Sequence, residues 1–132
     1  MLWGYEETKK WKNNKGVTVS EGITYLNGDK FKSISGGGGK GSFPQGMYLI
    51  MPVQYLGKDF LNVAAYSKEG LSFFAPLVPN FKTDRTQLGV HPDGGAWGTL
   101  GCCGLSEKIQ QAYHILETIP STGVPFEVKL LA

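Results

Sequence analysis

Four side chains in this 132-residue chain can do nucleophilic or proton-transfer chemistry near neutral pH: Cys102, Cys103, His91 and His114. His91 closes an apolar run, Leu88-Gly89-Val90-His91. Cys102 follows eleven residues later inside Gly98-Thr99-Leu100-Gly101-Cys102-Cys103-Gly104. Glycines on both sides let a substrate approach the backbone and leave amide N–H groups to face a developing oxyanion. A helix expected just downstream adds the positive end of its dipole, which favours a thiolate. An imidazole on the adjoining strand can hold that thiolate as an ion pair and deliver a proton to a leaving amine. The pattern is that of a cysteine acyl-transfer site, with Cys102 as nucleophile and His91 as acid/base. Cys103 is expected to pack as a small core residue, because free cysteine is usually buried. His114 is expected at the surface, beside the apolar helix face. The group that orients His91 is left open between Asp93 and a backbone carbonyl.

Other chemistries fit less well. Adjacent cysteines cannot close an ordinary disulfide. Two Cys and two His without ligand spacing do not make a structural zinc site, and no metal or cofactor is expected. The stretch Gly36–Ser42 lacks the Lys-Ser/Thr ending and the following helix of a phosphate-binding loop. Thirteen basic against eleven acidic side chains give a net charge of +2, which is not the basic excess of a nucleic-acid binder.

The elements that must position these residues are mainly strands. Trp3–Lys15 reads as an edge strand or an unpacked arm. Its lysines (Lys9, Lys10, Lys12, Lys15) form a solvated face or a basic arm for docking. Val17–Leu26 alternates in the β manner, Asn27-Gly28 is a two-residue hairpin turn, and Phe31–Ser35 returns. Further strands are expected at Met47–Val53, Phe60–Tyr66, Leu71–Val78, Gln87–His91 and Phe126–Leu131. One helix starts at a Ser106 cap, with Glu107 in its first turn, and ends before Pro120. Its apolar face is Ile109, Ala112, Tyr113, Leu116 and Ile119. No stretch approaches the length of a membrane span, and the first fifteen residues show no secretory leader. One domain is expected over residues 1–132.

The ordered set of motifs resembles the catalytic domain of the L,D-transpeptidases, the YkuD-like cysteine enzymes of peptidoglycan. Ser35–Gly46 resembles that family's strand, glycine loop and Pro-x-Gly turn, and Met47-Tyr48 its aromatic-containing strand. Leu88–His91 resembles the strand ending in the catalytic histidine, and Gly98–Cys102 the Ser-His-Gly-Cys motif, with Thr99 at the Ser position. The helix, Gly123-Val124-Pro125 and a last strand resemble the family's ending. Leu100 stands where the motif has His, and Gly104 where Arg or Asn is common. These departures are similar to compact, divergent members, among them toxins delivered into rival bacteria and phage-associated wall enzymes.

The resemblance implies a mainly β (α+β) sandwich of mixed strands, with one helix after the nucleophile. It implies attack by Cys102 on a peptide-stem carbonyl before a terminal D-amino acid, giving a thioacyl enzyme that passes to an amine or to water. The amides of Gly101 and Cys103 would form the oxyanion hole. Thr99, Trp97, Asp93, Arg85 and Tyr48 would contact substrate, with Lys82 a further carboxylate partner beside Arg85. Thr99 reads equally as a turn hydroxyl, and Trp97 as a loop aromatic on the core. The expected partner is the peptidoglycan stem, with an inhibitory immunity protein possible for a delivered form. A monomer acting in the periplasm or at the cell wall is expected. A non-catalytic module that binds wall peptide or protein, and a cysteine hydrolase of another amide, are the competing readings.

Overall fold

The computed structural model describes residues 2–36, 42–56, 67–93 and 103–132. Its first organising feature is the turn at Asn27-Gly28, where φ is 50° and 88°. Two consecutive positive φ values match the twist of the strands they join. They pair β2 (Thr18–Leu26) with β3 (Asp29–Gly36) from Leu26↔Asp29 to Val19↔Gly36. The sequence Glu69-Gly70 makes a second turn of this kind, with φ 54° and 76°, between β6 (Ser67–Lys68) and β7 (Leu71–Pro79).

The remaining strands are β1 (Gly4–Lys12), β4 (Gly46–Ile50), β5 (Gln54–Tyr55), β8 (Gly89–Pro92), β9 (Cys103–Leu105) and β10 (Val124–Lys129); the helix α1 is Ile109–Leu116. Their hydrogen-bonded order is β4-β10-β1-β2-β3-β9-β8-β7, and β7 pairs back onto β4. Among the described residues the chain is mainly β with one short helix, as expected, but the pairings close a ring of eight strands. A closed barrel thus stands in place of the expected sandwich of two sheets. The closure comes from the length of β7, whose nine residues pair with β8 through Ala75 and Pro76 and with β4 through Leu77–Pro79. Pairings are mixed: β1 runs parallel to β10 and β8 parallel to β9.

Three further expectations change. The N-terminal segment is no edge or arm, since β1 lies between β2 and β10. Tyr5 and Glu7 anchor it, both buried, and Glu7 accepts the Leu131 N–H at 2.9 Å. The run Met47–Val53 is broken after Ile50. Pro52 has no N–H for a ladder, and pairing along β7 resumes at Gln54. The helix begins at Ile109 rather than beside Ser106. The Ser106 N–H still extends the sheet by donating to the Lys32 carbonyl (2.9 Å), and Glu107 accepts the Lys32 N–H (2.9 Å). Lys108 then turns the chain with φ 50°. The expected strand Phe60–Tyr66 lies outside the described residues.

Alternation sends one face of each strand inward. The barrel interior holds Leu26, Phe31, Ile50, Phe73, Ala75, Leu77, Val90, Leu105, Phe126 and Val128, all buried. Polar side chains inside are paired: Tyr5 with Ser20 at 2.5 Å, and Thr24 with Ser33 at 2.5 Å. Unpaired, each would cost roughly 1–3 kcal/mol. Ile109, Ala112 and Leu116 of α1 pack against β2 and β7, with Tyr113 5.4 Å from the Phe73 ring. Elsewhere in the core, Tyr5, Phe43, Tyr48 and Phe81 form a chain of aromatic contacts at 5.0, 6.1 and 5.2 Å.

Candidate active site

His91 sits on β8 between β7 and β9. Its neighbour Val90 belongs to the barrel core, so His91 points to the outer face, where it is nonetheless 2% exposed. One ring nitrogen is fixed at once. Nδ1 lies 2.7 Å from the Pro92 carbonyl oxygen, and a carbonyl can only accept. Nδ1 therefore carries the proton, and Nε2 is the acceptor nitrogen of the neutral ring. This answers the open choice of orienting group: the Pro92 backbone takes that role, and Asp93 does not. Burial lowers the His91 pKa to about 4, only partly offset by the bond to Pro92. The resting imidazole is therefore neutral near pH 7.

The ring is also held from the side. Phe74, on β7, stacks on it with centroids 6.2 Å apart and planes 15° from parallel. Phe74 can lie there because residue 89 is glycine. A Cβ at Gly89 would stand 2.3 Å from the Phe74 ring and 2.8 Å from the Ala75 carbonyl oxygen.

Register extends the outer face away from His91 in two rows. His91 pairs with Gly104, Gly104 with Ile34, and Ile34 with Glu21. The second row, two residues along each strand, holds Asp93, Ser106, Lys32 and Ile23. It is tied by Asp93 N–H to Leu105 O (2.8 Å), Ser106 N–H to Lys32 O (2.9 Å) and the Lys32↔Ile23 pair. Glu21, Ile23, Lys32, Ile34, Asp93, Ser106 and Thr8 line an open cleft of about 510 Å³. Gly104 puts no side chain between this cleft and His91. Thr8 stands at a bulge, where the β1–β2 register shifts between Glu7 and Lys9.

The sequence-predicted residues that the structure describes fall in different places. His91 and Asp93 share this face. Arg85 and Tyr48 form a separate pair. Tyr48 is 1% exposed and donates its hydroxyl to the Pro44 carbonyl at 2.5 Å, so its side chain is core rather than cleft wall. The Arg85 charge opposes the rise that burial imposes on the Tyr48 pKa, and its guanidinium donates to the Ser42 carbonyl at 3.1 Å. Arg85 thus supports the segment around Tyr48. Lys82 is exposed, and His114 is exposed on α1, 3.3 Å from Glu117. Cys102, Gly101, Thr99 and Trp97 lie outside the described residues.

Cys103 is fully buried, its sulfur 3.0 Å from the Thr24 hydroxyl. Its backbone runs between Ser35 and Val90. β9 and a turn separate it from α1. The segment at Cys103 thus enters a strand and does not run directly into the helix, and the dipole expected at Cys102 concerns a residue outside the described ones. Among the described residues, no group of three His, Cys, Asp or Glu side chains is arranged to hold a metal ion. Nor does any described helix have the length and apolarity to cross a membrane.

Sequence reasoning missed Phe74, Gly89, Lys32 and Glu21. A signal existed for two of them: the Asn27-Gly28 hairpin alone sets Glu21 opposite Ile34 and Lys32 opposite Ile23. Set against protein-family models, curated proteins and solved structures, the chain matches none.

Proposed function

We propose that this protein is a cysteine acyl-transfer enzyme acting on peptidoglycan peptide stems, with Cys102 as nucleophile and His91 as acid/base. One observation carries the reading: the neutral His91 ring, its Nδ1–H committed to Pro92, offers Nε2 as a base on the strand beside β9. Cys102 is bonded to the first residue of β9. Cys103 faces inward to Thr24, so it is not the candidate nucleophile.

In the first step the Cys102 thiol gives its proton to Nε2 as sulfur attacks the stem carbonyl. The amides of Gly101 and Cys103 are the proposed donors to the oxyanion. The C–N bond breaks, the leaving amine takes the proton from His91, and a thioester remains. An amine or water then attacks the thioester, its proton passing through His91 to the departing sulfur. The site of action is the periplasm or cell wall, where the stems are.

The test is incubation with purified tetrapeptide muropeptides and mass spectrometry of the products. Loss of terminal D-Ala, exchange with added D-amino acid, or dimer formation supports the reading. No product from the wild-type chain overturns it. The burial of His91 favours a second reading, a module that binds wall peptide without chemistry. Saturable stem binding with no turnover would identify that case.

A further inference from the structure

We propose that Tyr55, Tyr113 and Glu117 form a binding corner for a quaternary ammonium group, at the C-terminal end of α1 and apart from His91. The argument begins with the rings. Tyr55 on β5 meets Tyr113 on α1 edge to face, with centroids 6.3 Å apart and planes inclined by 65°. The His114 ring lies 6.2 Å from Tyr113 and is inclined by 58°. Tyr113 is braced by Phe73 of the core at 5.4 Å, which fixes its ring. Tyr55 has no such cover and is 58% exposed. Two rings inclined in this way turn their faces toward one corner, and the face of an aromatic ring is its negative side.

Charge supplies the second part. Burial raises the Tyr113 pKa above the ordinary phenol value, and the charges of Glu117 and then Tyr55 raise it further, so both groups stand close to the Tyr113 hydroxyl. Glu117 is half-exposed, and its contact is the exposed His114 ring at 3.3 Å. Among the described residues no lysine or arginine pairs with it. Glu117 is also the C-cap of α1, where the helix dipole leaves partial negative charge. Ring faces, carboxylate and helix end thus share one sign, and their complement is a cation. A bare ammonium is strongly hydrated and carries three donors, against a single carboxylate here. A trimethylated nitrogen needs no acceptors: its methyl groups pack on the ring faces while its charge acts through them.

This site owes nothing to Cys102 or His91, so it is tested on the full chain by following amide chemical shifts during titration. Choline is the probe. The alcohol with a tert-butyl group in place of trimethylammonium is its neutral match. Choline is expected to give saturable shifts centred on Tyr55, Tyr113 and Glu117, with a Kd on the order of millimolar, and the neutral alcohol to bind at least about tenfold more weakly. Tyr55→Leu is expected to weaken choline about fivefold and Glu117→Gln about threefold, while Tyr55→Phe, which keeps the ring, stays within about twofold of the parent. Phosphatidylcholine vesicles carry the same group on a lipid. Sedimentation of the chain with them, lost in Tyr55→Leu, supports the site with a lipid headgroup as source. Choline binding without sedimentation supports it with a free or polymer-borne source. Equal binding of the neutral alcohol, the absence of a saturable response, or a choline response unchanged by Tyr55→Leu would overturn it.

Discussion

Phe74 lies beside the His91 imidazole in a near-parallel offset stack, and its ring fills the space that a side chain at position 89 would need. Three residues on two strands are thus interlocked: a glycine admits an aromatic ring, and the ring braces an imidazole. Gly89→Ala is expected to push Phe74 off His91 and to cost roughly 1–3 kcal/mol as an overpacked contact. Phe74→Ala is expected to leave the fold intact while His91 loses one wall. Thermal unfolding with turnover of muropeptides reads both. A fall in kcat with little change in KM is the expected signature of a mis-set base in each.

The pH behaviour follows from the buried imidazole. The His91 pKa is lowered from 6.5 to about 4, so between these values the unfolded chain binds more protons than the folded one. His91 therefore contributes stability above pH 6.5 that is lost as pH falls through 6.5 toward 4, on the order of 3 kcal/mol. Denaturant unfolding at pH 7.5, 5.5 and 4 measures this, with His91→Gln expected to flatten the profile. The acidic limb of kcat/KM is expected near pH 4. A limb near 6.5 would mean that the working imidazole is solvated.

The two adjacent cysteines are expected to behave differently. Cys103 is sealed against Thr24, so Cys103→Ala is expected to lower stability by about 1–2 kcal/mol and to keep activity below its melting point. Cys102→Ala is expected to abolish product with the melting temperature unchanged. Alkylation by iodoacetamide followed by peptide mapping gives a second check. Under native conditions label is expected on Cys102, with Cys103 labelled only after unfolding.

Tyr48 separates a core role from a substrate role. Its hydroxyl donates to the Pro44 carbonyl and its ring packs edge-on against Phe81. Tyr48→Phe is expected to cost about 1 kcal/mol of stability from the lost hydrogen bond, with KM for muropeptides unchanged. A rise in KM without loss of stability would return Tyr48 to the substrate wall.

The sequence by itself determined most of the local structure. Asn27-Gly28 set the turn, and with it the register that places Glu21 and Lys32 on one face. The spacing of Ile109, Ala112 and Leu116 set the buried stripe of α1. His91 closing an apolar strand, with a cysteine soon after, is the pattern from which the proposed chemistry is read. All of these are read within one segment, because turn geometry and side-chain period depend on neighbours along the chain. The tertiary structure decided what depends on partners far away in sequence. It decided that β7 closes a barrel by pairing with β4, that β1 is flanked on both sides, and that Ser106 stays in the sheet instead of capping the helix. It also decided the state of the candidate base. The Pro92 carbonyl fixes the His91 tautomer, burial keeps the ring neutral, and Phe74 braces it from another strand. Those properties come from desolvation and cross-strand contact, which exist only once the strands are assembled.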